Sequence, residues 1–437
     1  MNLPEPLAGG LRRRLAETQA RARLPSVSAA VARRGDVAFT AGVGDPAPDP
    51  DVQYRIGSIT KTFTAVLVLQ LRDEGLLSLA DPLERHLPGT PAGNATVRDL
   101  LGHLSGLTRE PPGDFWEAVP GRPGTELLAG IGTKELVLPA RRAWHYSNLA
   151  YGLLGLVVER ARGAAYADVL RSRVLDPLGL RRTTYDPVAP YATGYRVHPY
   201  ADELREEPLA DTGAMAPAGQ LWSTPTDLVR WGAFFADPTD GVLAADTVEE
   251  MCEPVAIRDP QGWTSGYGLG LQLFRRGERV YAGHGGSMPG FVAGLAVARG
   301  DKVVAAAAAN AWQGVDATLL AVELAEQVVE SDPHVTPWAP RETAPVMRDL
   351  LGSWWYRGVE LVLYVREGRL HLRTAADITG AQAERFAPDG PDRFRGADGS
   401  DRGELLCVRR DDAGTPVVLD LATWLLTRRL DDPRGGP

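Results

Sequence analysis

The hydrophobic and polar positions divide the chain into stretches of different period. Near the N-terminus "MNLPEPLAGGLRRRLAETQARARLPSVSAAVA" passes from a polar start into an arginine-rich helical pattern. "SVSAAVARRGDVAFTAGVG" (26–44) then reads as two strands joined by a turn at Arg34, Gly35 and Asp36. From Thr62, "TFTAVLVLQLRDEGLLSL" is helical with a stop near Gly75, and a mostly helical, loop-rich region follows to about residue 235. Strand-like runs return in "GYGLGLQLFRRGERVYAGHGG" and "GFVAGLAVARGDKVVAAAAANA", before a last helix, "DATLLAVELAEQVVE". This order predicts an α/β (α+β) domain over residues 1–330: an antiparallel sheet flanked by N- and C-terminal helices, interrupted by a helical insertion.

The pattern then breaks. "SDPHVTPWAPRETAPV" holds four prolines and no apolar period, so residues 331–347 read as a linker. Beyond it, residues 348–437 carry short alternating runs such as "ELVLYVREGRLHLRTA", punctuated by Gly, Asp and Pro turns. They predict a small all-β domain, a sandwich or a barrel.

Composition narrows the partners. With 437 residues, 44% hydrophobic and 24% charged, and a net charge of -9, the chain has room for a large core and no excess of positive charge for nucleic acid. No stretch is apolar enough to span a bilayer and no secretory pattern opens the sequence, so a cytoplasmic location without membrane contact is expected. Cys252 and Cys407 match no metal-ligand spacing and read as two buried thiols. No H-E-x-x-H, Cys/His cluster or P-loop occurs, and no cofactor or metal is expected.

Charge also isolates one residue. Only three lysines occur, and one of them, Lys61, stands three residues after Ser58 in "YRIGSITKTFTA". Unlike arginine, a buried lysine can lose its proton, which makes Lys61 a candidate base. Ser58 would sit at a helix N-terminus with Lys61 on the same face. Taken alone, S-x-x-K is equally well explained by a capping serine and a solvated lysine. Two further stretches add to it: "WHYSNLAYGLLGLVVERA", with Tyr146 and Asn148 before an apolar helix, and "YAGHGGSMPGF", a strand ending in His284, Gly285 and Gly286. No G-x-S-x-G elbow competes, since Ser105 and Ser265 have the wrong spacing.

These three elements, in this order, resemble the S-x-x-K, Y-x-N and K-T-G-type boxes of the penicillin-binding proteins and class C β-lactamases. The resemblance extends over residues 10–330, including "LLGHLSGL" (100–107) and "AGQLWSTPTDL" (218–228). It implies a β-lactamase/transpeptidase-like fold. It also implies Ser58 as nucleophile, Lys61 as its basic partner and Tyr146 as proton carrier. Asn148 would hold the substrate amide and Lys61, and the backbone N–H groups of Ser58 and Ser287 would form the oxyanion hole. His284 replaces the lysine of the third box and Gly285 its threonine, which argues against efficient β-lactam turnover; His284 would orient Tyr146 or a leaving group, or else be a hydrogen-bonded strand-end residue. Gly285 and Gly286 would let a substrate backbone lie against the strand.

The catalytic boxes followed by a C-terminal β-domain are similar to the layout of stand-alone penicillin-binding-protein-type thioesterases, which carry a lipocalin-like barrel. That layout implies release or head-to-tail cyclisation of a nonribosomal peptide with a D-configured C-terminal residue, presented by a carrier protein. Arg428 or Arg429 in "LLTRR" would pair with a substrate or carrier phosphate, or else form a solvated face. Trp116, Trp144, Trp222 and Trp231 are core residues or substrate platforms, with Trp222 the candidate for substrate contact. The alternatives are an intracellular esterase, D-aminopeptidase or β-lactamase-like amidase and, from another class, a catalytically silent peptide-binding protein.

Overall fold

The computed structural model describes residues 3–239, 241–331, 333 and 337–430. The chain forms two compact units, residues 1–334 and 335–437.

The first unit is built on an eight-stranded sheet. From one edge, its strands run Asp36–Gly44, Ser26–Arg33, Val303–Ala309, Phe291–Ala298, Arg279–Met288, Gln272–Arg276, Ser265–Tyr267 and Ala256–Ile257. All neighbours pair antiparallel. The opening hairpin turns at Arg34 and Gly35, both at positive φ (53° and 87°), with Asp36 already paired to Arg33. Two left-handed residues in succession match the twist of a two-residue hairpin.

The run of alanines at 305–309 follows from the layering. Ala305, Ala307 and Ala309 pack with the helix Ala317–Ser331, whereas Ala306 and Ala308 lie on the face covered by the helix Pro225–Ala236. Both faces of the strand are covered, so alternation gives way to uniformly small apolar residues.

The second unit is a closed barrel of eight antiparallel strands, from Gly352–Tyr356 to Trp424–Thr427. Pairing of Trp355 with Thr427 joins the first strand to the last and removes the sheet edges. Its interior is filled by residues such as Trp354, Leu363, Phe386, Leu406 and Leu419. The stretch read as linker is partly structured: Ser331 ends the preceding helix and residues 345–347 open the short helix Pro345–Arg348. Residues 332 and 334–336 of that stretch lie outside the described residues. Cys252 and Cys407, expected as buried thiols, are half-buried and unbonded to one another. Among the described residues, no helix is long and apolar enough to cross a membrane.

Candidate active site

Ser58 occupies a turn that the surrounding backbone forces to be tight. Tyr54–Arg55 pairs with Trp222–Ser223, and the Ile56 N–H donates to Leu221 O at 2.9 Å. Gly57, at φ 51°, then bends the chain into a 3-10 turn, Gly57–Ile59, which runs into the helix Thr60–Asp73. Every residue from Thr60 to Leu71 is buried, Lys61 included. Lys61 Nζ donates to Ser58 Oγ at 2.9 Å and to Ala218 O at 2.7 Å, and lies 5.0 Å from the centre of the Tyr146 ring. Burial pulls the Lys61 pKa down to about 7, against the opposing fields of Glu117 and Glu110. A neutral amine is thus accessible near neutral pH, within reach of the serine proton.

Tyr146 precedes the helix Asn148–Arg162, whose N-cap is Ser147: its Oγ accepts from Ala150 N at 3.0 Å and donates to Thr108 O at 2.7 Å. The cap holds the preceding tyrosine beside Lys61 and Ser58, with the Lys61 amine over its ring. Burial pushes the phenol above its ordinary pKa, while the neighbouring Ser58 hydroxyl works against that rise. Asn148 departs from expectation. Rather than holding Lys61, its Nδ2 donates to both oxygens of Glu110, at 2.9 and 3.1 Å, and its buried Oδ1 has no partner. The carboxylate draws the amide donor, because a charge-assisted bond outweighs a neutral one.

The strand Arg279–Met288 brings the third box to the same place. Gln272–Arg276 pairs only with residues 279–283 and Phe291–Ala298 with 282–288. Among the described residues, no strand therefore covers the other side of 284–288. A Cβ on Gly286 would lie 1.9 Å from Ile56 O and 2.9 Å from Ser58 N, and one on Gly57 would lie 2.5 Å from Ser287 N. The backbones carrying the Ser58 and Ser287 N–H groups are in direct apposition. The two glycines serve the fold more than a ligand: Gly286 admits the Ile56–Ser58 backbone, and Gly285 faces Thr318, where a Cβ would sit 2.3 Å from Oγ1.

His284 is fully buried. Its ring centre is 6.4 Å from that of Tyr146, Nε2 is 3.1 Å from Tyr267 Oη, and Nδ1 is bonded to Gly285 O. Both nitrogens are committed within the protein, so the expected role in orienting Tyr146 or a leaving group directly is replaced by that of a hydrogen-bonded strand residue. Burial lowers its pKa to about 3, keeping it uncharged where the third-box lysine would be a cation.

Two other candidates are placed elsewhere. Trp222 is 1% exposed and packs edge-on against Phe291 and Tyr191, as core. Arg428 donates to Leu351 O, Ser353 O and Asp349 O and stacks on Trp354, 3.9 Å from the ring centre, so its guanidinium is spent inside the barrel unit. Trp231 is core, stacked on Phe63 at 4.0 Å. Trp144 is half-buried with Arg258 over its ring. Trp116 donates to Glu110 Oε2 at 2.7 Å and lines a cavity of about 260 Å³ with Leu127, Met215 and Pro112.

Sequence reasoning overlooked Glu110 and Glu117. Both act on Lys61, and burial together with Glu110 raises the Glu117 pKa to about 7. They follow "LLGHLSGL" without any spacing signature, and only the folded chain brings them to the serine. Among the described residues, no cluster of three or more His, Cys, Asp or Glu could hold a metal ion.

The family model described as Beta-lactamase matches residues 11–329. The chain belongs to the Beta-lactamase family. A second model, a domain of unknown function (DUF7586), matches residues 343–428. Beta-lactamase-like protein 2 of Dictyostelium discoideum is 32% identical over 237 residues, covering 51% of this chain and 43% of that protein. This Beta-lactamase family chain spans about half the length of the curated relatives it matches. A D-stereospecific amidohydrolase from Streptomyces sp. is similar in structure, with a TM-score of 0.64, 28% identity, and coverage of 73% of this chain and 98% of that one. SurE shares the fold over 97% of this chain and 99% of its own at 23% identity, with a TM-score of 0.62. The fold of nearly the whole chain is therefore found in a solved structure of matching length.

Proposed function

We propose that the chain is a serine hydrolase or acyltransferase working through an acyl-enzyme. The observation that carries this reading is the buried Lys61 amine 2.9 Å from Ser58 Oγ. Neutral Lys61 takes the proton as Ser58 attacks a carbonyl carbon. The oxyanion is received by the Ser58 and Ser287 N–H groups, either of which is worth roughly 3 to 4 kcal/mol in such sites. Tyr146 hands a proton to the leaving group; water or an amine then resolves the ester, giving its proton to Tyr146 while Lys61 returns one to Ser58. Intact-mass analysis after a fluorophosphonate tests this: a single adduct on Ser58 is expected, and none in Ser58→Ala. An unmodified wild-type chain would support the silent peptide-binding alternative instead.

For the donor, the finer reading is a peptidyl thioester with a D-configured C-terminal residue, released or macrocyclised from a carrier protein. The two-domain layout, an uncharged third box and the acidic pair Glu110–Glu117, suited to an amine acceptor, support it. The similarity to a D-stereospecific amidohydrolase favours a second reading, direct hydrolysis of D-configured amides, alongside related esterase or aminopeptidase activity. Peptidyl thioesters ending in D- or L-residues, compared with the matching amides, separate the two. Cyclic product from the D-thioester is expected under the first reading. Linear acid alone, formed as fast from amides or simple esters, would select the second.

A further inference from the structure

We infer that His103 and Tyr267 are positioning residues, joined to His284 in one buried hydrogen-bonded line that sets Tyr146 relative to Ser58. The inference rests on the acyl-enzyme reading above. His103 belongs to "LLGHLSGL" and has φ 57°, a conformation seldom adopted by a residue with a side chain. In that conformation its backbone O accepts from His145 N at 2.9 Å while its Nδ1 accepts from Ser147 N at 3.1 Å. Both neighbours of Tyr146 are held by the same residue, and the imidazole lies over the Tyr146 ring with centres 4.3 Å apart.

The proton order along the line follows from these bonds. Nδ1 of His103 accepts from a backbone N–H, so in the neutral ring the proton is on Nε2 and is donated to Tyr267 Oη, 3.1 Å away. His284 donates from Nδ1 to Gly285 O, which leaves Nε2 as an acceptor for the Tyr267 hydroxyl at 3.1 Å. Tyr151 gives its own proton to Leu101 O at 2.8 Å, so it does not compete for the acceptor on His284. Burial keeps both imidazoles uncharged, His103 well below its ordinary pKa and His284 at about 3, so the order holds around neutral pH. Tyr267, on the strand Ser265–Tyr267, is the junction between the tyrosine loop and the third box.

The test is Tyr267→Phe, which removes the hydroxyl and keeps the ring, measured in the full chain with an activated ester and with Ser58 labelling by a fluorophosphonate. The expected result is a fall in kcat of about 10- to 100-fold with KM changed by less than about twofold. In a Tyr146→Phe background the same substitution is expected to change the labelling rate by less than about twofold, because its effect passes through Tyr146. Wild-type kcat in Tyr267→Phe, or equal losses in both backgrounds, would overturn the inference. Should Tyr267→Phe not fold, His103→Asn, whose Oδ1 can still accept from Ser147, is expected to retain more activity than His103→Leu; equal loss would overturn it. No Ser58 adduct in the unsubstituted chain would instead overturn the serine reading beneath it.

Discussion

At Lys61 an apolar environment and a basic amine are in conflict. Its depressed pKa means that the unfolded chain holds a proton there, up to the ordinary lysine pKa, that the folded chain releases above about 7. The cost to folding is largest at pH 7 and below, and shrinks as pH rises toward 10.5. Lys61→Met should therefore raise the melting temperature more at pH 7 than at pH 10 while abolishing turnover; an equal shift at both pH values would contradict a depressed pKa. At this scale the sequence made part of the site readable. Ser58, Lys61 and Tyr146 stand together because their boxes have local spacing and local secondary structure. Asn148, Trp222 and Arg428 found other partners, in Glu110, Phe291 and Trp354, and no local pattern forecasts which distant neighbour competes for a side chain. His103 and Tyr267 went unassigned for the same reason: the bond between them spans 164 residues.

Among the elements, the strand Arg279–Met288 matters most, because it is packed against the serine turn by the absence of side chains. Gly286→Ala would place a methyl 1.9 Å from Ile56 O, and something must shift. Its Ser58 labelling rate should fall at least about 10-fold, as expected of a misplacement near 1 Å. Gly300→Ala, where nothing lies within 4 Å, is the control and should label at the wild-type rate. Equal rates in the two variants would show that the apposition of Gly286 and Ile56–Ser58 does not matter to the serine. The elements themselves were largely visible in the pattern, from the hairpin turn at Arg34–Gly35 to the helix ending near Gly75 and the paired strands around 272–309. The opening barrel strand Gly352–Tyr356 and its pairing with Trp424–Thr427 were not, since closure joins segments about 70 residues apart.

On the scale of the whole molecule, the two units have separate cores. Trp354, 0% exposed and bonded to Leu350 O, anchors the barrel alone. Trp354→Ala should cost the barrel about 3 to 5 kcal/mol, read as a denaturant transition moved to lower concentration while the transition of the catalytic unit stays in place. A single transition moving as one would indicate that the units unfold together. Whatever donor the molecule takes, its chemistry is proposed to depend on one proton leaving Ser58 for Lys61. The most direct measurement is the rate of Ser58 labelling by a fluorophosphonate as a function of pH, in the wild-type chain and in Lys61→Arg. The rate should rise as Lys61 loses its proton near pH 7 and then level, and labelling should be almost completely lost in Lys61→Arg, because arginine keeps its proton throughout. A Lys61→Arg chain that labels at the wild-type rate, or a profile flat through pH 7, would contradict it.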